Sequence, residues 1–338
     1  MSVQISLICF VAYTLLANCF IRLICFFKRQ NERLKKKFTY PLDIVAHRGG
    51  SLIGPENTLY AFEKALNNGG ANVLEMDVWL SLDKKIVVSH DDELGRTCGE
   101  RYRNVKISQL VVGDFPNNTL PQCARSIALH FKNGNIMDYK ASDDVPIDEL
   151  TRVCLLTEVF ERFPGVPMHV DIKALGAEAV YIVLDMIRKF RRESYTIVGS
   201  SVTENKMYIK DYFTKNTAIR PKFRIFANTS DFMYVYLFYY LGLLPFCKLD
   251  FDVFSIPVYT TSMREEAQTE HGYVASLMAS FFFTSPSLWR YLQYRGIAVL
   301  GWVVNGESNL AEAALWPLNG IITDDPVCLF NSMKSKKM

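Results

Sequence analysis

Residues 73–78 read Val-Leu-Glu-Met-Asp-Val. Side chains alternate faces along a strand, so Glu75 and Asp77 point the same way. Two carboxylates on one face of an apolar strand are costly unless paired or metal-bound. Hard oxygen donors of this kind suit one divalent metal, Mg²⁺ or Ca²⁺. Residues 168–173, Met-His-Val-Asp-Ile-Lys, put His169, Asp171 and Lys173 on one face. Asp171 can supply a third carboxylate, and Lys173 a cation for an anionic substrate. His47, in VAHRGG, and His90, in VVSHDD, each end a strand-like run. Histidine is the usual general acid or base near neutral pH, and Arg48 can hold a phosphate bidentately. An internal ion-pair network would explain any one of these groups. Their recurrence at successive strand ends points to a catalytic site.

The elements that must position them follow from the apolar pattern. Val73–Val78, Ile86–His90, Pro167–Lys173, Tyr195–Ser200, Phe223–Ala227, Val253–Val258, Ile297–Val304 and Gly320–Thr323 read as strands, after a short apolar stretch at Ile44–Gly49. Glu56–Asn68, Leu150–Phe163, Ala177–Phe190, Leu288–Tyr294 and Ser308–Leu315 carry helical periodicity. Strands separated by helices imply a parallel sheet. About eight of them over ~290 residues predict an α/β fold, a TIM (β/α)₈ barrel, whose catalytic groups sit at the C-terminal strand ends. No GxGxxG follows the first strand, so a dinucleotide fold lacks its fingerprint. Residues 95–145 are loop-rich and read as an insertion.

The chain has 338 residues, 49% apolar and 22% charged, with a net charge of +3. That supports a packed core and argues against a nucleic-acid partner. The eight cysteines show neither CxxC nor zinc spacing and read as reduced core thiols. Ser2 to Ile21 carries no charge, and about 20 such residues cross a bilayer. No basic residue precedes the run and no small-x-small site follows it, so a retained anchor fits better than a cleaved signal peptide. Lys28, Arg29, Arg33, Lys35, Lys36 and Lys37 follow it, which places the remainder in the cytosol. The expected order is a transmembrane anchor at 1–27, a basic juxtamembrane linker at 28–41 and the barrel at 42–332. The location is thus a membrane, with the endoplasmic reticulum a candidate. The sequons at Asn117 and Asn228 matter only in the opposite orientation. Phe232–Cys247, apolar and tyrosine-rich, is readable as a buried barrel helix or as an interfacial segment.

The motifs HRGG (47–50), PENT (55–58), LEMDV (74–78), VVSHDDELGRT (87–97), HVDIK (169–173), GWVVN (301–305) and GIITDDP (320–326) occur in this order. The chain resembles the glycerophosphodiester phosphodiesterase family from about residue 44 to about 330. The resemblance implies a TIM barrel with an insertion after the second strand. It assigns His47 and His90 as the general acid/base pair, and Glu75, Asp77 and Asp171 as metal ligands. Arg48 and Lys173 would hold the phosphate, and Trp302 would lie near the substrate. Glu56 and Asn57 would support the metal site, and Asp324 falls on the final strand. The third ligand is commonly Glu in bacterial members and is Asp171 here. HVDIK, the N-terminal anchor and LLPF (243–246) look more like the animal lysophospholipase D branch. That branch cleaves lysophosphatidylcholine and N-acyl lysophosphatidylethanolamine, releasing lysophosphatidic acids and the head-group alcohol or N-acylethanolamine. The alternatives are a glycerophosphodiesterase that releases glycerol 3-phosphate from soluble diesters, and an inactive membrane scaffold.

Overall fold

The computed structural model describes Tyr13, Leu16 and residues 32–115, 120–123, 126–130, 136–140 and 149–335. Eight strands run parallel: β1 (Ile44–Ala46), β2 (Val73–Leu80), β3 (Met168–Ile172), β4 (Thr196–Gly199), β5 (Arg224–Ile225), β6 (Val253–Ile256), β7 (Ala298–Gly301) and β8 (Gly320–Thr323). Nearly all their residues are buried on both faces, as a helix-covered parallel sheet requires. The order is β6-β7-β8-β1-β2-β3-β4-β5. A parallel bridge from Phe226 to Val253 joins its two edges. The result is a near-closed barrel of the expected (β/α)₈ kind.

The helices used below are α1 (Glu32–Lys37), α2 (Leu59–Asn67), α3 (Leu156–Arg162), α4 (Ala177–Lys189), α5 (Asn205–Lys215), α6 (Thr229–Tyr240), α7 (Thr261–His271) and α8 (Tyr273–Phe283). α4 shows why they form. Ala179, Val180, Val183, Leu184 and Ile187 make one buried stripe, with Glu178 in the first turn and Arg188 and Lys189 in the last. α8 inverts this pattern. It buries Ser276 and Ser280, while Val274, Leu277 and Phe281 face outward.

Residues 32–41, expected as linker, contain α1, which stoppers the barrel at its N-terminal end. Leu34 and Phe38 pack beneath the interior residues Val45, Val73, Ile197, Val253 and Ile322. Lys37 donates to the Gly296 carbonyl at 2.9 Å and pairs with Asp252 at 2.7 Å. The expected anchor, residues 1–27, lies outside the described residues apart from Tyr13 and Leu16. Among the described residues no helix is long and apolar enough to cross a membrane.

Three expectations need correction. Ile86–His90 is not a barrel strand. β2 projects beyond the barrel, and Ile86–Val88 folds back antiparallel on its last residues, Val78–Leu80. The stretch expected as a helix over Leu150–Phe163 is broken. Cys154–Leu155 pairs antiparallel with Ile86–Val88, and only α3 is α-helical there. The insertion therefore starts at Ser81, earlier than residue 95. It also holds an antiparallel pair, Ser126–His130 with Ile136–Lys140. Phe232–Cys247 resolves as part of a barrel helix and a following turn. Val235, Tyr236 and Tyr239 are buried, while Leu237 is 57% and Phe246 83% exposed.

Candidate active site

β1 ends in a single turn, His47–Gly49, at the C-terminal end of the barrel. Gly49 sits at φ 81°, and a Cβ there would meet the Phe62 ring at 2.7 Å. Glycine thus lets the turn lie against α2. Arg48 is itself left-handed, at φ 50°. This turns its backbone N–H onto Glu75 Oε2 at 2.7 Å.

The PENT motif is a bracket for this turn. Thr58 caps α2, its hydroxyl accepting from Ala61 N–H at 3.2 Å. Asn57 takes a left-handed φ of 58°, which asparagine tolerates, and donates to Asp77 Oδ2 at 3.4 Å. Glu56 has a fully buried carboxylate and receives two guanidinium groups. Arg48 lies at 3.2 Å, and Arg96 donates to both oxygens at 2.6 and 2.8 Å.

β2 and β3 lie in register, pairing Glu75 with His169 and Asp77 with Asp171. The alternation expected from sequence therefore sets all four side chains on the inner face. Lys173 Nζ sits between Asp171 Oδ2 at 2.7 Å and Asp77 Oδ1 at 3.2 Å. Arg48 Nε approaches Asp77 Oδ2 at 3.7 Å. Burial disfavours Asp77's charge, but Lys173 and Arg48 outweigh it and hold its carboxyl at about 2. Around Glu75 the cations weigh less, and His47 and Arg48 do not outweigh what opposes its charge. Burial and the neighbouring Asp77 push its carboxyl up to about 7. His169 is buried and stacks on Phe226, ring centroids 4.6 Å apart. Neither of its ring nitrogens has a hydrogen-bond partner, and burial lowers its pKa to about 4, so it is neutral.

The two candidate acid/base histidines are each held by a carboxylate. His47 Nδ1 lies 2.7 Å from Asp324 Oδ1. Burial works against the imidazolium, but the charge and hydrogen bond of Asp324 raise His47's pKa overall. Asp324 is secured by Ser51 and by Asn305 Nδ2 at 2.6 Å. His90 Nδ1 lies 2.7 Å from Asp91 Oδ1. Arg96 Nε then joins Asp91 Oδ2 at 2.5 Å and ties this pair to Glu56. The backbone of His90 is pinned by the Trp79 indole, which donates to its carbonyl at 3.1 Å. Asp77 lies within electrostatic reach of both histidines.

The structure thus gathers His47, Arg48, Glu56, Asn57, Glu75, Asp77, His90, Asp171 and Lys173. Trp302 follows β7 at the same barrel end and is 37% exposed. Sequence reasoning missed Ser51, Asp91, Arg96, Asn305 and Ser201. Asp91 and Arg96 were visible inside VVSHDDELGRT, and Asn305 inside GWVVN, as polar residues flanking the motif histidines and strands. Among the described residues no three His, Cys, Asp or Glu side chains close on a metal-sized site, because Lys173 stands between two of the acids. The donor chemistry nonetheless fits a hard divalent cation. Three carboxylates lie on the inner face of adjacent strands, and Glu75 is buried beside Asp77, a repulsion that His47 and Arg48 offset only in part.

The sequence profile of the glycerophosphoryl diester phosphodiesterase family matches residues 47–215. Lysophospholipase D GDPD3 of Mus musculus is 31% identical over 331 residues, covering 96% of this chain and 92% of that protein. Lysophospholipase D GDPD1 of Rattus norvegicus is 28% identical over 305 residues, 87% of each. The fold is similar to that of a glycerophosphodiester phosphodiesterase from Agrobacterium tumefaciens. The TM-score is 0.54 and the identity 17%, over 86% of this chain and 99% of that one. It is similar too to an Oleispira antarctica phosphodiesterase solved with the product sn-glycerol-3-phosphate. There the TM-score is 0.53 and the identity 16%, over 88% and 98%. On the profile match and the near-complete overlap with the mouse protein, the chain belongs to the glycerophosphoryl diester phosphodiesterase family.

Proposed function

We propose that this enzyme is a metal-dependent lysophospholipase D, hydrolysing lysophosphatidylcholine and N-acyl lysophosphatidylethanolamine to lysophosphatidic acid and the head-group alcohol or N-acylethanolamine. The observation that carries the reading is the pair of carboxylate-held histidines, His47–Asp324 and His90–Asp91, flanking one cluster of inward acids. The lysophospholipase D names of the relatives support the lipid substrate.

Glu75, Asp77 and Asp171 would hold the divalent cation, Mg²⁺ or Ca²⁺. When bound, it supplies positive charge that polarises a phosphoryl oxygen. Arg48 and Lys173 offset the remaining charge on the phosphate. One histidine takes the proton of the nucleophile, either water or the substrate's own 2-hydroxyl, in which case water then opens the resulting cyclic phosphate to lysophosphatidic acid. The other returns a proton to the leaving alkoxide. Asp324 and Asp91 hold each imidazole by its Nδ1, which leaves Nε2 to move the proton. The N-terminal run Ser2–Ile21 would tether the enzyme to a membrane, with the barrel in the cytosol.

Product analysis tests this directly. The full chain in detergent is given lysophosphatidylcholine, N-acyl lysophosphatidylethanolamine and glycerophosphocholine, each with Mg²⁺, Ca²⁺ or chelator. Lysophosphatidic acid formed only with metal is the expected result. Exclusive turnover of glycerophosphocholine would replace the lipid reading with a soluble glycerophosphodiesterase.

A further inference from the structure

Between α5 and α6 the barrel flank opens into a groove of about 810 Å³. Its floor is Ile209 and Phe213 of α5, Ile225 of β5, Phe226, Tyr234 of α6 and Phe251. None of these carries a charge. The edges are charged, with Lys206, Lys210, Arg220 and Lys248 beside Asp231 and Asp250. Three of the four are fastened in place: Lys206 to Asp231 at 2.6 Å, Lys248 to Asp250 at 3.0 Å and Arg220 to Asp252 at 3.4 Å. Their stems extend the apolar walls while their charged ends stay in water.

The groove runs the height of the barrel. It begins at Pro221 and Lys248, near the end closed by α1, and finishes at Ser200 and Asn228, at the end that carries the site. There its lining comes within one residue of the catalytic cluster. Ser201, next to Ser200, donates its N–H to Asp171 Oδ1 at 2.8 Å and accepts from Lys173 Nζ at 3.1 Å. Phe226, part of the floor, stacks its ring on His169, which faces the same acids.

We propose that this groove holds the acyl chain of the phosphodiester lipid whose phosphate is held by Arg48 and Lys173. Three features select this occupant. The floor is apolar, uncharged and elongated. The volume is that of a small-molecule cleft, roughly 300–1,000 Å³. The upper end lies one residue from the phosphate site, at Ser200 beside Ser201, so head group and chain of one molecule would lie at adjoining places. A soluble diester would leave the groove empty. The inference rests on the lipid reading above and extends it to a named surface.

The test uses the full chain and a series of lysophosphatidylcholines of increasing acyl length, below their aggregation limits, with glycerophosphocholine as the chainless control. Thr214 and Thr217 line the groove from exposed positions on and just after α5. Thr214→Trp and Thr217→Trp should fill it without touching the catalytic groups. In the unaltered enzyme kcat/KM should climb with chain length, by at most about fourfold per methylene buried. Each variant should flatten that climb and raise the long-chain KM at least tenfold, with glycerophosphocholine turnover within twofold. An unchanged chain-length dependence would overturn the proposal. A second measurement needs neither variant nor turnover. Lysophosphatidylcholine with a diazirine in its acyl chain should label peptides containing Phe213, Tyr234 or Phe251 of the unaltered chain. Labelling confined to other surfaces defeats the groove. Labelling here without hydrolysis of any diester would defeat the enzymatic reading and leave the groove standing.

Discussion

His47 and Asp324 stand 277 positions apart in the chain and 2.7 Å apart in the fold. The contact exists because β1 and β8 are neighbours, pairing Ala46 with Thr323. Each residue is the first beyond its strand, so barrel closure itself builds the pair.

Asp324→Asn should therefore lower the pKa of His47, since the charge that favours the imidazolium is removed while the shape is kept. The limb of the pH–rate profile carried by His47 should move to lower pH, and kcat should fall roughly 10²–10⁴-fold. NMR titration of the imidazole checks the first outcome independently of turnover. The pair's contribution to stability has a defined window. The raised His47 stabilises the fold below about pH 6.5 and stops doing so as pH rises through its folded pKa. Asp324, held at about 2, stabilises it above about pH 4 and is lost as pH falls through that value.

Arg96 links His90's partner Asp91 to the buried Glu56. Arg96→Ala leaves Glu56 buried beside Arg48 alone, which should destabilise the fold by roughly 3–5 kcal/mol. Arg96→Lys keeps the charge and loses the fork. It should fold with a smaller loss and still lower kcat, because one ammonium cannot hold Asp91 and both oxygens of Glu56. Thermal melts and steady-state rates on the two variants separate the effects.

Glu75, pushed up to about 7 without metal, makes a statement about pH. Its neutral form stabilises the metal-free fold at low pH, and that contribution is lost as pH rises through about 7. Cation binding needs the ionised form and so releases a proton. The melting shift caused by Mg²⁺ or Ca²⁺ should be larger at pH 8 than at pH 6. Glu75→Gln should abolish the shift while raising the metal-free melting point at pH 8 by a few degrees. Calorimetry in buffers of different ionisation heat counts the released proton.

Gly320 begins β8, where a Cβ would fall 1.7 Å from the Leu42 carbonyl oxygen. Backbone cannot swing aside as a side-chain tip can. Gly320→Ala should cost roughly 3 kcal/mol or more, read from denaturant unfolding.

Much of this fold could be read from the sequence because its core strands are short apolar runs with helices between. The inward face of β2 and β3 was legible too, since alternation leaves Glu75, Asp77 and Asp171 no other common side. His90 was not legible as placed. Its run looks like a barrel strand, and only the antiparallel pairing of Val78 with Val88 shows that it doubles back. α7 and α8 gave no helical signal for a different reason. α8 buries serines and exposes its apolar residues, the reverse of the stripe that periodicity detects. Asp91 and Arg96 work through side-chain geometry, which no spacing rule encodes.

The helix that stoppers the barrel fixes a polarity. Leu34 and Phe38 close one pole, and the histidines occupy the other. Any tether acting through Glu32 therefore holds the reactive pole outward, away from the surface it grips. On the lipid reading proposed above, a substrate leaving that surface would meet the barrel's base first and reach the site along its side. In that arrangement the wall of the barrel would govern how fast substrate arrives, and the mouth what happens once it is there.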